Sequence, residues 1–249
     1  MRLLTTNMKS IAATALGTWF ACTLALAQQP APAVVASPPG MADRVAACMA
    51  CHGKEGRATA DGYYPRIAGK PAGYLLNQLQ GFRDGRRRYP MMNYLLTNLS
   101  DDYLQQIANF FAAQHPPYPP PLAPAANAAL LERGRILVSE GDRQRRIPAC
   151  SACHGARLGG VQPAIPGLLG LPRDYINAQL GAWRNGERSA RAPDCMAAIA
   201  RELTPEDVNA ASSWLSGQTV PADYAPASSL STPLPRQCGS QPQAAGARP

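Results

Sequence analysis

Cys48-Met49-Ala50-Cys51-His52 returns as Cys150-Ser151-Ala152-Cys153-His154. Cys-x-x-Cys-His is the attachment signature of c-type haem. Residues three apart on a helical turn point the same way, so each cysteine pair can form thioethers with the two vinyl groups on one porphyrin edge. The histidine that follows then falls under the iron as an axial ligand. Cys48, Cys51, Cys150 and Cys153 are thus the expected attachment points for two covalent haems. His52 and His154 are the expected proximal ligands. Two other readings compete. A zinc site would pool the four cysteines, but it leaves unexplained why a histidine follows the second cysteine both times. A redox dithiol prefers a βαβ setting, and neither motif has strand-like flanks.

Working outward, the match between the halves continues. The two motifs are offset by 102 residues. Pro65, Ile67, Gly69, Tyr74, Phe82, Arg83 and Gly85 then match Pro166, Leu168, Gly170, Tyr175, Trp183, Arg184 and Gly186 at an offset of 101. Met92, Leu99, Ser100, Phe110 and Phe111 match Met196, Leu203, Thr204, Trp214 and Leu215 at 104. Internal repetition of this kind marks a duplicated domain. The expected layout is an export segment over 1–27, a first domain over 40–115, a proline-rich connector over 116–126, a second domain over 127–218 and a tail over 219–249. His115-Pro116-Pro117-Tyr118-Pro119-Pro120-Pro121 cannot sustain a helix, so the connector is read as extended. His115 is read as a solvated helix-end residue. The Pro/Ser/Gln/Ala-rich tail, from about Gly217, is read as irregular and partly disordered.

Within each half the periodicity is helical. Tyr74, Leu75, Leu79 and Phe82 form one stripe, and Tyr175, Ile176, Leu180 and Trp183 repeat it. Gly85 and Gly186 stand where a left-handed C-terminal cap is needed. Ser100 and Thr204 suit N-caps of a last helix, and Pro205 suits the first helical position. That helix buries Leu104, Ile107, Phe110 and Phe111 in one half, and Val208, Ala211, Trp214 and Leu215 in the other. Leu130 to Val138 is a fair helix before the second motif, whereas Met41 to Ala47 is short. No alternating strand run stands out.

A histidine-ligated haem needs a second ligand or keeps an open site. Met92 precedes Leu99, and Met196 precedes Leu203, by seven residues each. Met91 competes, but its repeat partner is Cys195, so the repeat selects Met92 and Met196 as thioether ligands. A thioether donor raises the reduction potential. Ordinary core filling is the alternative fate of such methionines. The Pro65 and Pro166 carbonyls are placed to accept the Nδ1–H of the proximal histidines, or the prolines simply make turns. Cys195 and Cys238 lie outside the motifs. They form a bridge that staples the tail, or stay free, or Cys195 competes with Met196 for iron.

Arg2, Lys9, the uncharged stretch Ile11–Ala27 and Ala25-Leu26-Ala27 resemble a cleaved secretory signal. An uncleaved anchor is the alternative, at the lower length limit for a span. Cys22 goes with this segment. The formal charge of +8 includes Arg2 and Lys9. Arg86-Arg87-Arg88 and Arg143, Arg145 and Arg146 are basic clusters that suit an acidic partner or anionic lipid, or are simply solvated surface. An exported haem protein has no use for nucleic acid, and no catalytic residue is expected.

Cys-x-x-Cys-His, Pro-x-(Ile/Leu)-x-Gly, Tyr…(Phe/Trp)-Arg-x-Gly, Met-x6-Leu and the Ser/Thr-led last helix occur in order, twice, over about 40–114 and 127–218. In this set the chain resembles the dihaem cytochrome c4 family. The resemblance implies an all-α fold of two tandem class I cytochrome c domains carrying two covalently attached haem c groups near the domain interface. It also implies a periplasmic electron carrier rather than an enzyme, working toward a terminal oxidase. Its partners would be periplasmic or membrane redox proteins, namely a dehydrogenase, an oxidase or another cytochrome, with peripheral membrane contact through the basic clusters. The rivals are a thiosulfate dehydrogenase-like dihaem oxidoreductase and a cytochrome subunit of a periplasmic dehydrogenase. The short lead-in before Cys48, Cys195 beside the methionine, the expanded 188–194 loop and the long tail depart from the family pattern.

Overall fold

The computed structural model describes residues 40–121 and 126–241. The export segment expected over 1–27, with Cys22, lies outside them. Ten α-helices dominate the described residues, which fall in one compact unit. The first half holds α1 (Met41–Arg44), α2 (Ala46–His52), α3 (Ala72–Arg83), α4 (Pro90–Leu96) and α5 (Asp101–Ala112). The second holds α6 (Ala128–Ser139), α7 (Cys150–His154), α8 (Arg173–Arg184), α9 (Cys195–Glu202) and α10 (Pro205–Ser216). One small departure from the all-helical expectation is an antiparallel pair, β1 (Gly160–Val161) with β2 (Ile165–Pro166). Two residues are too few to show an alternating pattern in a sequence.

Each half builds its own core from the expected stripes. Val45, Leu75, Phe82, Leu96, Leu104, Ile107 and Phe111 are buried together in the first. Leu137, Val138, Ile176, Leu180, Val208, Ala211 and Leu215 are buried together in the second. The caps follow the sequence. Ser100 Oγ accepts from the Tyr103 N–H. Thr204 and Asp207 form a reciprocal capping box, with Pro205 in the first turn of α10. Gly85 and Gly186 both take φ of +75° just past α3 and α8, a conformation that costs glycine little.

α6 lies across α10 with Gly134 at the crossing, where a Cβ would run into the Ala210 carbonyl and lie 2.8 Å from Trp214 Cβ. Among the described residues of the first half, the four-residue α1 packs on α5.

The halves meet through equivalent residues. Arg87 and Arg188 pair as an antiparallel bridge. The Arg88 N–H donates to the Glu187 carbonyl at 2.8 Å, and the Ser189 N–H donates to the Arg86 carbonyl at 2.7 Å. The Arg87 guanidinium donates to Gln78, Gln179 and the Tyr175 hydroxyl. The Arg188 guanidinium donates to the same two glutamines. Gln78 and Gln179, like Arg87 and Arg188, occupy repeat-equivalent positions, so the contact has local two-fold symmetry. This corrects the reading of Arg86–Arg88 as a free basic cluster: Arg87 is half-buried in the interface, Arg86 is half-buried and paired with Asp84, and Arg88 is exposed.

The tail also departs from expectation. It is irregular but held over 217–241. Tyr224 OH donates to the Leu158 carbonyl and accepts from the Leu169 N–H, and Ala227 bridges Val161. Arg236 pairs with Glu202 at 2.9 Å. A disulfide joins Cys195 to Cys238, and Asn77 of α3 donates to the Ser240 carbonyl. Composition alone missed this because the anchors are a few isolated side chains in a polar, proline-rich background. Residues 242–249 lie outside the described ones.

Candidate functional site

Both Cys-x-x-Cys-His motifs are helical, the first ending α2 and the second forming α7. A helical turn puts Cys48 and Cys51 on one face, and likewise Cys150 and Cys153. All four are half-buried and none is in a disulfide. Burial pushes the Cys48 and Cys153 thiols up, and Cys150 up to about 11, with neighbouring Cys153 adding to it. A redox dithiol needs the opposite, a thiolate stabilised near neutrality. The pooled zinc site fails on geometry: among the described residues no three His, Cys, Asp or Glu side chains converge as a metal cluster.

His52 and His154 are buried at the ends of these helices. His52 Nδ1 lies 2.9 Å from the Pro65 carbonyl, and His154 Nδ1 lies 2.8 Å from the Pro166 carbonyl. A carbonyl only accepts, so each Nδ1 carries the proton and each Nε2 keeps its lone pair for a metal. Burial lowers both imidazole pKa values. The carbonyl bonds oppose the shift, and the charges of Arg87 on His52 and Lys70 on His154 add to it. The ring is therefore neutral, the form that ligates. The prolines do more than turn the chain.

Met92 sits on α4 and Met196 on α9, each half-buried against its own core. Neither short helix was foreseen, although Pro90 at the start of α4 and Asp194, whose side chain accepts from the Ala197 N–H, are ordinary helix-start signals. Met91 is exposed. Cys195 is committed to Cys238, which removes the thiolate competitor for Met196.

Several polar groups around the motifs lack counter-charges. Arg188 is 5% exposed and stacks 3.8 Å over the Trp183 ring. It has only neutral hydrogen-bond acceptors among the described residues, as does Arg87. The Trp183 indole N–H is buried with no acceptor among them. Lys70, 5% exposed, donates across the interface to the Gly167 carbonyl at 2.9 Å. Burial, with Arg66 nearby, brings it down to about 7. Sequence reading passed over Arg87, Arg188 and Lys70 as sites because lone cations carry no motif. In the other basic cluster Arg143 and Arg146 are exposed, whereas Arg145 is half-buried and holds Asp142 and Asp207 together with Arg133.

No protein-family model matches the chain. A thiosulfate dehydrogenase electron acceptor from Thiomonas intermedia is 36% identical over 183 residues, 74% of this chain and 82% of that protein. Cytochrome c4 from Pseudomonas aeruginosa is 35% identical over 176 residues, covering 70% and 85%. The crystal structure of reduced recombinant cytochrome c4 from Pseudomonas stutzeri superposes with a TM-score of 0.62 at 31% identity, covering 72% of this chain and 96% of that one. With its repeated Cys-x-x-Cys-His helices and two-domain helical fold, this chain is a dihaem electron-transfer cytochrome that belongs to the cytochrome c4 family.

Proposed function

We propose that the protein is a periplasmic electron carrier that takes electrons from a dehydrogenase, with a thiosulfate-oxidising one as first candidate, and passes them to an oxidase or another cytochrome. The observation that carries it is the pair of buried imidazoles, each locked through Nδ1 by a proline carbonyl beside a helical cysteine pair. The 36% identity to a thiosulfate dehydrogenase electron acceptor supports the choice of donor. The export-like N-terminus supports the compartment.

The residues fit haem. Cys48 and Cys51 would hold one group by thioethers, and Cys150 and Cys153 the other. His52 and Met92 would hold the iron of the first, His154 and Met196 that of the second. Haem carboxylates would supply the counter-charge that Arg87 and Arg188 lack among the described residues, and an acceptor for the Trp183 N–H. Bound haem iron supplies a one-electron couple. The protein's part is to fix the imidazole tautomer through Pro65 and Pro166, to keep the ligating ring neutral by burial, and to exclude water with the two cores. If a histidine and a methionine held each iron, the metal would have no place left for a substrate.

Redox titration with spectra and a mass measurement on the exported protein tests this. Two haems by mass and two ferric near-infrared bands of sulfur-ligated iron are expected. Met92→Ala and Met196→Ala should keep both haems attached, each losing one band and lowering one midpoint potential. Unchanged bands in both variants would overturn the ligand assignment. Rapid reduction by a thiosulfate dehydrogenase, with no thiosulfate turnover by the cytochrome alone, is the expected carrier behaviour.

A further inference from the structure

The two halves agree closely in motif, caps and interface, so an element that breaks the agreement is informative. Lys70 breaks it. It sits one residue past the matched segment Pro65–Gly69, and its counterpart past Pro166–Gly170 is the apolar Leu171. The lysine does not serve its own half. Its side chain crosses the interface, and its Nζ donates to the Gly167 carbonyl at 2.9 Å. Gly167 directly follows Pro166, the residue whose carbonyl holds the His154 ring. The ammonium is almost fully buried, donates to the neutral Gly167 carbonyl, and faces like charge from Arg66. A buried cation held at such a cost by one neutral acceptor asks for a use beyond packing.

We propose that Lys70 is a positioning residue for the second haem site, supplied by the first half, whose charge raises the reduction potential of the second haem alone. The physics is direct. Oxidised iron carries one more positive charge than reduced iron, so a cation held in a poorly screened interface favours the reduced form. The effect moves the resting place of a single electron toward the C-terminal half. This rests on His154 being the proximal ligand of that haem.

The test uses the full holoprotein at pH 5.5, below the lowered pKa of the amine. Lys70→Met and Lys70→Gln remove the charge, Lys70→Arg keeps one, and each is titrated in wild-type and Met92→His backgrounds. The second substitution displaces the first haem's wave and so assigns the remaining one. Loss of the charge should shift the electron distribution about tenfold away from the second haem, which is about 59 mV for a one-electron couple. The first haem's wave stays in place, and Lys70→Arg retains most of the wild-type value. A neutral variant that shifts neither wave, or both equally, overturns the proposal. A wild-type mass showing a single haem, or an intact second site after His154→Ala, would instead sink the ligand reading on which it rests.

Discussion

Asp207 shows how much one side chain can do here. It is 4% exposed, closes the capping box of α10, and accepts from Arg133 and Arg145, which also hold Asp142. Burial alone would raise the Asp207 carboxyl, but Arg145, the Thr204 N–H and Arg133 outweigh it and bring it down to about 2. Arg133, the Arg145 N–H and the Arg145 side chain bring Asp142 to about 2 as well. An unfolded aspartate titrates near ~3.9. Both folded values lie below that, so the stabilisation is complete above about pH 4 and is lost as pH falls toward 2. Asp207→Asn should therefore flatten the acid-unfolding curve in that window and lower stability at neutral pH by about 2 kcal/mol. Circular dichroism against pH and urea measures both. The arginines of this cluster are visible in the sequence, but their partner at position 207 lies 62 and 74 residues further on, at the other end of the same domain, so only the fold reveals that they are paired.

At the scale of elements, the sequence is most readable where local rules agree. The stripes of α3, α5, α8 and α10, their serine, threonine and proline starts, and the glycines at 85 and 186 all point to one answer, and these helices form as expected. α4 and α9 are seven and eight residues long, too short for periodicity to stand out. Their existence depends on packing against cores made elsewhere. The α6–α10 crossing belongs to the same class. Gly134 reads as a mild helix breaker in isolation, yet it is what lets the two helices approach. Gly134→Ala gains helix propensity and still should destabilise the second half by about 1–3 kcal/mol, because the new methyl meets the Ala210 carbonyl. Chemical denaturation would show a lower midpoint. A stabilised variant would mean the helices can part at little cost.

Across the whole molecule, the interface was the least legible part. Two copies of a motif reveal a duplication, but not that the copies face each other. Arg87, Arg188, Gln78 and Gln179 acquire their meaning only when paired. The symmetry makes a quantitative prediction. Gln78→Ala and Gln179→Ala should weaken the molecule by similar amounts, about 1 kcal/mol each. Together they should be non-additive, since each glutamine receives both guanidiniums. Clearly unequal single effects would show that the local two-fold is not shared in energy.

Because like surfaces meet, the molecule is in assembly terms a homodimer written into one chain. The proline-rich connector replaces a concentration-dependent encounter with an effective concentration on the order of millimolar. Paired redox centres then survive dilution that would separate two unlinked subunits, and the chain guarantees a one-to-one stoichiometry of the two haem sites however little of it a cell makes.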